Sequence, residues 1–271
     1  MRLGLCTIQR DRGPWILEWI AFHYLMGFRS FYFFLHRCTD HSAVVLESLH
    51  RKIDLHVFVL PDDIPRPQLQ AYQYAYTNFG DQVDWMAFVD GDEFLFPTSA
   101  KEMAPALEAL DDKSFDALGA YWSCFGSSGH IEEPKGLIIE NYQYRASYDF
   151  ESNSHIKSIV RGGLKDRFSV SSNSHLFITP KGTVDELKRP VTWGKTEYNA
   201  SYGSLRINHY ATQSLSFFKT FKQRSGHADT GAQLERPDSW WVHYDRNEEL
   251  DTSMQLTLPE LKELLAYWNR A

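Results

Sequence analysis

Trp85-Met86-Ala87-Phe88-Val89-Asp90-Gly91-Asp92-Glu93-Phe94-Leu95-Phe96 is the stretch from which the fold can be read. Its apolar first half is too short for a stable helix and is bounded by Asp84 and Gly91, the pattern of a strand buried on both faces of a parallel sheet. Then it turns acidic. Side chains alternate along an extended segment, so Asp90 and Asp92 share one direction while Glu93 faces elsewhere, and Gly91 lets a ligand approach the backbone closely. In an open α/β sheet the carboxyl edge is where ligands sit. Two convergent carboxylates there suit Mg²⁺ or Mn²⁺, hard cations that keep positions open for water and phosphate oxygens. A bare Asp-x-Asp more often only solvates a strand end, but acids trapped between apolar segments are costly unless something positive pairs with them. The further oxygen ligands of a helix-loop-helix calcium site are missing.

Upstream, the chain alternates strand and helix. Leu3 to Ile8 reads as a strand, followed by the polar loop Gln9-Arg10-Asp11-Arg12-Gly13 and a helix in which Pro14 suits the first turn. Ile16, Trp19, Ile20 and His23 form its apolar stripe before Gly27. Ser30 to Leu35 predicts a second strand, Ala43 to Arg51 a helix, Ile53 to Leu60 a third strand and Pro67 to Phe79 a helix ending at Gly80. Connections of helical length imply parallel strands and right-handed crossovers, so the loops at Thr7 to Arg12, His36 to Asp40, Pro61 to Asp63 and Asp90 to Glu93 should line one crevice. The first loop lacks Gly-x-Gly-x-x-Gly, which argues against dinucleotide binding. Thr7, Arg10, Asp11, Asp40 and Asp90 remain candidates to hold a nucleotide there, although Asp40 alone reads first as a cap on the next helix.

Downstream the alternation fades. Ser99 to Leu110 reads as a helix, Ala117 to Cys124 as a strand, and Phe125-Gly126-Ser127-Ser128-Gly129-His130 as a donor-rich loop. Leu137 to Ile139, Ile156 to Arg161, His175 to Thr179 and Leu205 to Tyr210 read as further strands, followed by a helix from Ser214 to about Arg224. A last helix begins at Thr257-Leu258-Pro259-Glu260, and its Leu261, Leu264, Leu265 and Trp268 form a stripe suited to docking on the core. The expectation is a single domain over 1–271, with a nucleotide-binding half at 1–97 and an acceptor-side half at 98–271.

Composition narrows the class. With 43% hydrophobic and 23% charged residues the chain is globular, and a net charge of −7 argues against general nucleic-acid binding. No apolar run approaches the ~20 residues of a membrane span, and Met1-Arg2-Leu3-Gly4-Leu5 leads into a strand without a cleavable signal pattern, so a cytosolic location is expected. The three scattered cysteines lack zinc spacing and read as apolar fillers. Aromatics, at 15%, are in excess, and rings of this kind can stack on sugars.

Several segments in order resemble a GT-A-fold glycosyltransferase of the bacterial family-2-like group related to glycosyltransferase family 92. They are Leu17 to His23, Trp85 to Phe96, Trp122 with Phe125 to His130, Lys157 to Arg161, Asn208-His209-Tyr210 with Ser214, Ala228-Asp229, and Asp245 to Glu248 with Asp251. The resemblance implies an α/β sheet flanked by helices and a metal-dependent, inverting transfer of a sugar from a nucleotide diphosphate sugar, a UDP-sugar foremost, to a hydroxyl of a glycan or glycolipid. It implies that Asp90 and Asp92 hold Mn²⁺ or Mg²⁺, with His209 as a third ligand. Lys157 and either His130 or Arg161 would place positive charge against the diphosphate, and Asp229 would be the base, with Glu140, Asp149 and Glu151 as competitors. Polysaccharide or glycolipid assembly is a further implication of the resemblance, and the stripe of the last helix leaves peripheral contact with the inner face of a membrane as a lesser alternative to core docking. Two other functions remain open at this point. A nucleotidyltransferase also sets acids at this sheet edge but usually carries a Gly-rich phosphate loop, and a carbohydrate-binding module would need no nucleotide.

Overall fold

A computed structural model describes residues 1–226, 228, 230–232 and 235–270. The first half follows the predicted alternation: β1 (Leu3–Gln9), α1 (Gly13–Leu25), β2 (Ser30–His36), α2 (Ser42–Leu49), β3 (Asp54–Leu60), α3 (Pro67–Phe79) and β4 (Trp85–Phe88). β1 pairs parallel with β2 on one side and with β4 on the other, Leu5 lying between Phe31 and Ala87, while β3 completes the edge beyond β2. The spatial order β3-β2-β1-β4 reverses direction at β1, which opens a crevice at the carboxyl ends of β1 and β4.

Both faces of this sheet are apolar because successive side chains alternate. Leu3, Leu5, Phe31, Phe33, Trp85 and Ala87 meet α1 and α2 on one face. Cys6, Ile8, Tyr32, Phe34, Met86 and Phe88 meet Tyr72 and Tyr76 of α3 on the other. The three cysteines are unpaired, and Cys6 and Cys124 are packed as small apolar groups.

After the acidic turn, β5 (Glu93–Pro97) leaves the plane of β4, and α4 (Met103–Leu110) leads to β6 (Ala117–Cys124) and β7 (Ile156–Arg161). β7 runs antiparallel between β4 and β6, so the sheet is parallel in its first half and mixed beyond it. β8 (Leu205–His209) lies antiparallel to β5 and parallel to β6, with His209 opposite Glu93 on one side and Cys124 on the other. The chain then forms α5 (Leu215–Thr220), α6 (Asp238–Tyr244) and α7 (Leu258–Arg270). Leu261 and Trp268 of α7 are buried, and Trp268 meets the Tyr24 ring of α1, so the stripe docks on the core as predicted. No helix among the described residues is long and apolar enough to cross a membrane.

Three expectations need correction. Leu137 to Ile139 is not a strand, since Ile138–Asn141 turns as a short helix whose first amides, Ile138 and Ile139, donate to the buried carboxylate of Glu18. The helix expected from Ser99 begins at Met103, and that expected over Ser214 to Arg224 ends at Thr220 before a separate tight turn at Lys222–Arg224.

Candidate functional site

A cavity of about 330 Å³ sits at the carboxyl ends of β1 and β4. Its floor is the segment Ile8 to Arg12 and the turn Asp90 to Asp92, and its far wall holds Trp122, His175, His209, Phe217, Lys222 and Trp240.

The acidic turn is fixed from beneath. Trp19 donates its indole N–H to the carbonyls of Asp90 and Glu93, and the backbone N–H of Asp90 donates to Glu93 Oε2 at 2.7 Å. His23, one turn along α1 from Trp19, accepts from the Leu95 amide through Nε2 and uses Nδ1 on the Trp19 carbonyl, a fully used structural histidine whose pKa burial lowers to about 3. Glu18, Trp19 and His23 therefore brace two distant segments, 90–95 and 138–139, from one helix. Gly91 leaves room that the sequence did not point to, since a Cβ there would lie 2.5 Å from the end of the Gln9 side chain and displace it.

The two aspartates differ. Asp90 is tied at both oxygens: Oδ1 accepts from Gln68 Nε2 at 2.6 Å and from the Tyr72 hydroxyl at 3.2 Å, and Oδ2 meets Lys157 Nζ at 2.9 Å, with a third of the side chain still open to the cavity. Burial would raise this carboxyl, but the Lys157 ammonium outweighs it and leaves the pKa lowered. Lys157 is itself buried, and Asp90 and Glu93 together overcome that cost and raise its pKa, so it carries its charge. Glu93 is fully buried, and burial drives its pKa up against the pull of the Lys157 ammonium. Asp92 is held ionised, since Lys222, His209 and Arg12 override the effect of burial. Its Oδ2 pairs with Lys222, while Oδ1 stands 3.8 Å from His209 Nε2, too far for a hydrogen bond. Burial lowers His209 to about 4, so the imidazole is neutral near pH 7.

Arg12 lies between the Trp15 and Phe217 rings and donates to Gln213 Oε1 and to the Gly91 carbonyl. Burial lowers its pKa despite Asp92 and Glu133 nearby. Gln213, in the left-handed region at φ 49°, hands the chain of contacts to Glu133, which also accepts from the Tyr142 and Ser214 hydroxyls.

The predicted site residues are thus partly assembled. Arg10, Asp11, Asp90, Asp92 and His209 line the cavity, and Lys157 lies directly behind Asp90. Asp11 spends Oδ1 on the Thr39 and Asp40 amides. Thr7 is fully buried beneath the floor. Asp40 is out of the cavity and ties two helix starts together, accepting from the Gly13 amide with one oxygen and from Ser42 with the other. Arg161 is likewise not with them: it pairs through two bonds with Asp111 and covers the Trp85 ring, at the opposite edge of the sheet. His130 turns away as well, with Nε2 on the Asn141 carbonyl and its ring against Tyr142. Glu140 pairs with Lys262, Glu151 with Lys195, and Asp149 with the Ser147 hydroxyl. Asp229 lies outside the described residues.

The sequence did not single out Gln68, Tyr72, Arg12, His175 or Lys222. Gln68 and Tyr72 are spaced i, i+4 on the buried face of α3, a polar pair in an apolar stripe and the one signal that could have found them.

A mostly parallel sheet crossed by an acid-lined crevice at its switch point defines an α/β protein with a polar ligand site. This chain belongs to glycosyltransferase family 92, whose sequence model matches residues 3–225. It is 23% identical over 218 residues to a glycosyltransferase family 92 protein of Ricinus communis, covering 79% of this chain and 36% of that one. A glycosyltransferase family 92 protein of Oryza sativa subsp. japonica is 22% identical, with 79% and 34% covered. The chain thus spans about a third of the length of the curated relatives it matches. Among solved structures, S. aureus TarS 1–349 in complex with UDP-GlcNAc is similar with a TM-score of 0.45 and 14% identity, over 99% of this chain and 71% of that one.

Proposed function

We propose that the chain is a glycosyltransferase that moves a sugar from a nucleotide diphosphate sugar, a UDP-sugar in the first instance, to a hydroxyl of a glycan or glycolipid with inversion at the anomeric carbon. The observation that carries the reading is the pair Asp92 and His209, an ionised carboxylate and a neutral imidazole that face each other across 3.8 Å at the mouth of the crevice. Their facing atoms leave a gap too wide for a hydrogen bond; the carboxylate oxygen suits Mn²⁺ or Mg²⁺, and the added imidazole nitrogen favours Mn²⁺ of the two. Asp92 and His209 would hold the cation. Asp90, tied to Gln68, Tyr72 and Lys157 yet partly open to the cavity, would keep the turn in place and supply the second carboxylate of the set.

When bound, such a cation supplies Lewis-acid stabilisation for a departing diphosphate. The chain's own groups add to this. Lys222 brings a second positive charge to the same carboxylate, and the Arg12 guanidinium is close enough to Asp92 to be felt by it. Fixed charges in a walled cavity act on developing negative charge without reorganising, which is the main source of rate in such transfers. Trp240 and Phe221 give the cavity aromatic walls suited to the C–H face of a sugar.

Isothermal titration with UDP in the presence and absence of MnCl₂ tests the reading. The wild-type chain should bind UDP at least tenfold more tightly with Mn²⁺, and Asp92→Ala should lose that gain while keeping its melting temperature within a few degrees. UDP binding that is indifferent to the cation, or Mn²⁺-dependent binding that survives in Asp92→Ala, would remove the assignment.

A further inference from the structure

The described lining of the cavity leaves one group able to accept a proton without giving up a charged partner. Asp90 is paired with Lys157, Asp92 is paired with Lys222, Asp11 holds a loop, and His209 faces Asp92. His175 is different. Its Nδ1 lies 2.8 Å from the Ile156 carbonyl, an oxygen that can only accept, so Nδ1 carries the hydrogen and Nε2 presents a lone pair. Among the described residues Nε2 has no hydrogen-bond partner, and the ring lines the same cavity as Asp90, Asp92 and His209.

The ring is held as firmly as a rigid element could hold it. Asn173 Oδ1 accepts from the amides of His175 and Leu176, and the Ser158 hydroxyl donates to the His175 carbonyl at 2.6 Å. Gly194 lets the bend before Lys195 press against the residue, since a Cβ there would lie 2.6 Å from that of His175. The edge of the ring rests on Trp122, with centroids 5.4 Å apart. Two of these anchors, Ile156 and Ser158, flank Lys157 on β7, so the imidazole and the ammonium behind Asp90 are placed by the same three residues.

We propose that His175 is the catalytic base of the transfer, with Nε2 receiving the proton of the acceptor hydroxyl; this rests on the glycosyltransferase reading above. The acceptor oxygen forms its bond to the anomeric carbon as the bond from that carbon to the diphosphate oxygen breaks. The electron pair of the broken bond leaves with the diphosphate, and the hydroxyl proton passes to Nε2, giving an imidazolium that later releases it to solvent. Burial and Lys157 keep the resting ring neutral, with a pKa lowered to about 3, so the lone pair is present throughout the neutral range. A weak base is sufficient, because the hydroxyl becomes strongly acidic as its oxygen bonds to the sugar, and the incoming diphosphate charge offsets the effect of Lys157.

Two substitutions separate this role from a structural one. Asn at 175 can place its amide N–H where Nδ1 was and keep the Ile156 bond while removing Nε2, whereas Gln can return an acceptor near Nε2. With MnCl₂ and UDP, both His175→Asn and His175→Gln should bind within twofold of wild type by isothermal titration. With UDP-glucose, UDP-galactose and UDP-N-acetylglucosamine as donors and methyl glycosides as acceptors, kcat of both His175→Asn and His175→Gln should fall at least 100-fold with the donor KM within threefold, because a glutamine amide accepts a hydrogen bond but not a proton. Wild-type kcat in His175→Asn overturns the proposal, as does a loss of UDP binding that runs parallel with the loss of kcat. A wild-type chain that binds no UDP with Mn²⁺ would instead fail the broader reading and take this one with it.

Discussion

Lys157→Met removes a single charge from the interior and leaves its shape nearly filled. The ammonium sits 2.9 Å from Asp90 Oδ2 with 1% of its side chain exposed. At an effective dielectric of about 20, that separation corresponds to roughly 6 kcal/mol of gross attraction. Two effects reduce it. The methionine no longer carries the cost of burying an ammonium, and Asp90, with 33% of its side chain open to the cavity, regains water. The net loss should be about 3 kcal/mol, the low end of what breaking a buried pair costs, which for a chain of this size means a fall of roughly 6–12 °C in melting temperature. Urea unfolding at pH 7 measures it. The decisive comparison is Lys157→Met with Asp90→Asn, because neutralising both partners removes the stranded charge and should restore about 2 kcal/mol relative to Lys157→Met alone. If Lys157→Met is within about 1 kcal/mol of wild type, or the double substitution is no more stable than the single one, the ion pair is not what holds Asp90 in place.

Lys222→Ala should tighten Mn²⁺ binding at least tenfold, a gain of about 1.4 kcal/mol, because a competing positive charge leaves Asp92; titration with the metal alone reads this, and weaker binding would contradict it. Glu18 offers a pH test: burial raises its pKa to about 7 in the fold, while the unfolded chain has the ordinary value near 4.5. The native state therefore holds the proton more tightly, and its contribution to stability is complete below about pH 4.5 and lost as pH rises through 7, by up to roughly 3 kcal/mol. The stability difference between wild type and Glu18→Gln, measured by urea unfolding from pH 4 to 8, should fall across that window and flatten above it; a difference independent of pH would show that Glu18 does not titrate there.

How much of this was legible depends on how far each residue's neighbours lie along the chain. The apolar run from Trp85 to Val89 announces itself, because a strand buried on both faces needs no knowledge of what covers it, and the spacing of β1, β2, β3 and β4 follows from the helices between them. Direction was harder. Lys157 and Arg161 sit four positions apart on one strand and were assigned to the same edge, yet β7 runs antiparallel to β4, so Lys157 reaches the end that carries Asp90 while Arg161 ends beside Trp85. Leu137 to Ile139 has the composition of a strand and becomes a helical turn because a carboxylate some 120 residues earlier takes its amides. Gln68, Tyr72 and His175 acquire meaning only once the fold brings α3 and the segment anchored to the start of β7 to the same cavity, and no local pattern encodes that meeting.

The pairing of β5 with β8 sets His209 against Glu93, the residue next to Asp92. The bite between the imidazole and the carboxylate is therefore a property of a backbone ladder, read off in whole residues like a reading frame. Loss or gain of one residue within 205–208 would not shift His209 by a few ångströms but turn it through the sheet to the opposite face, leaving Asp92 without its companion. This short segment should tolerate changes of side chain far more readily than changes of length.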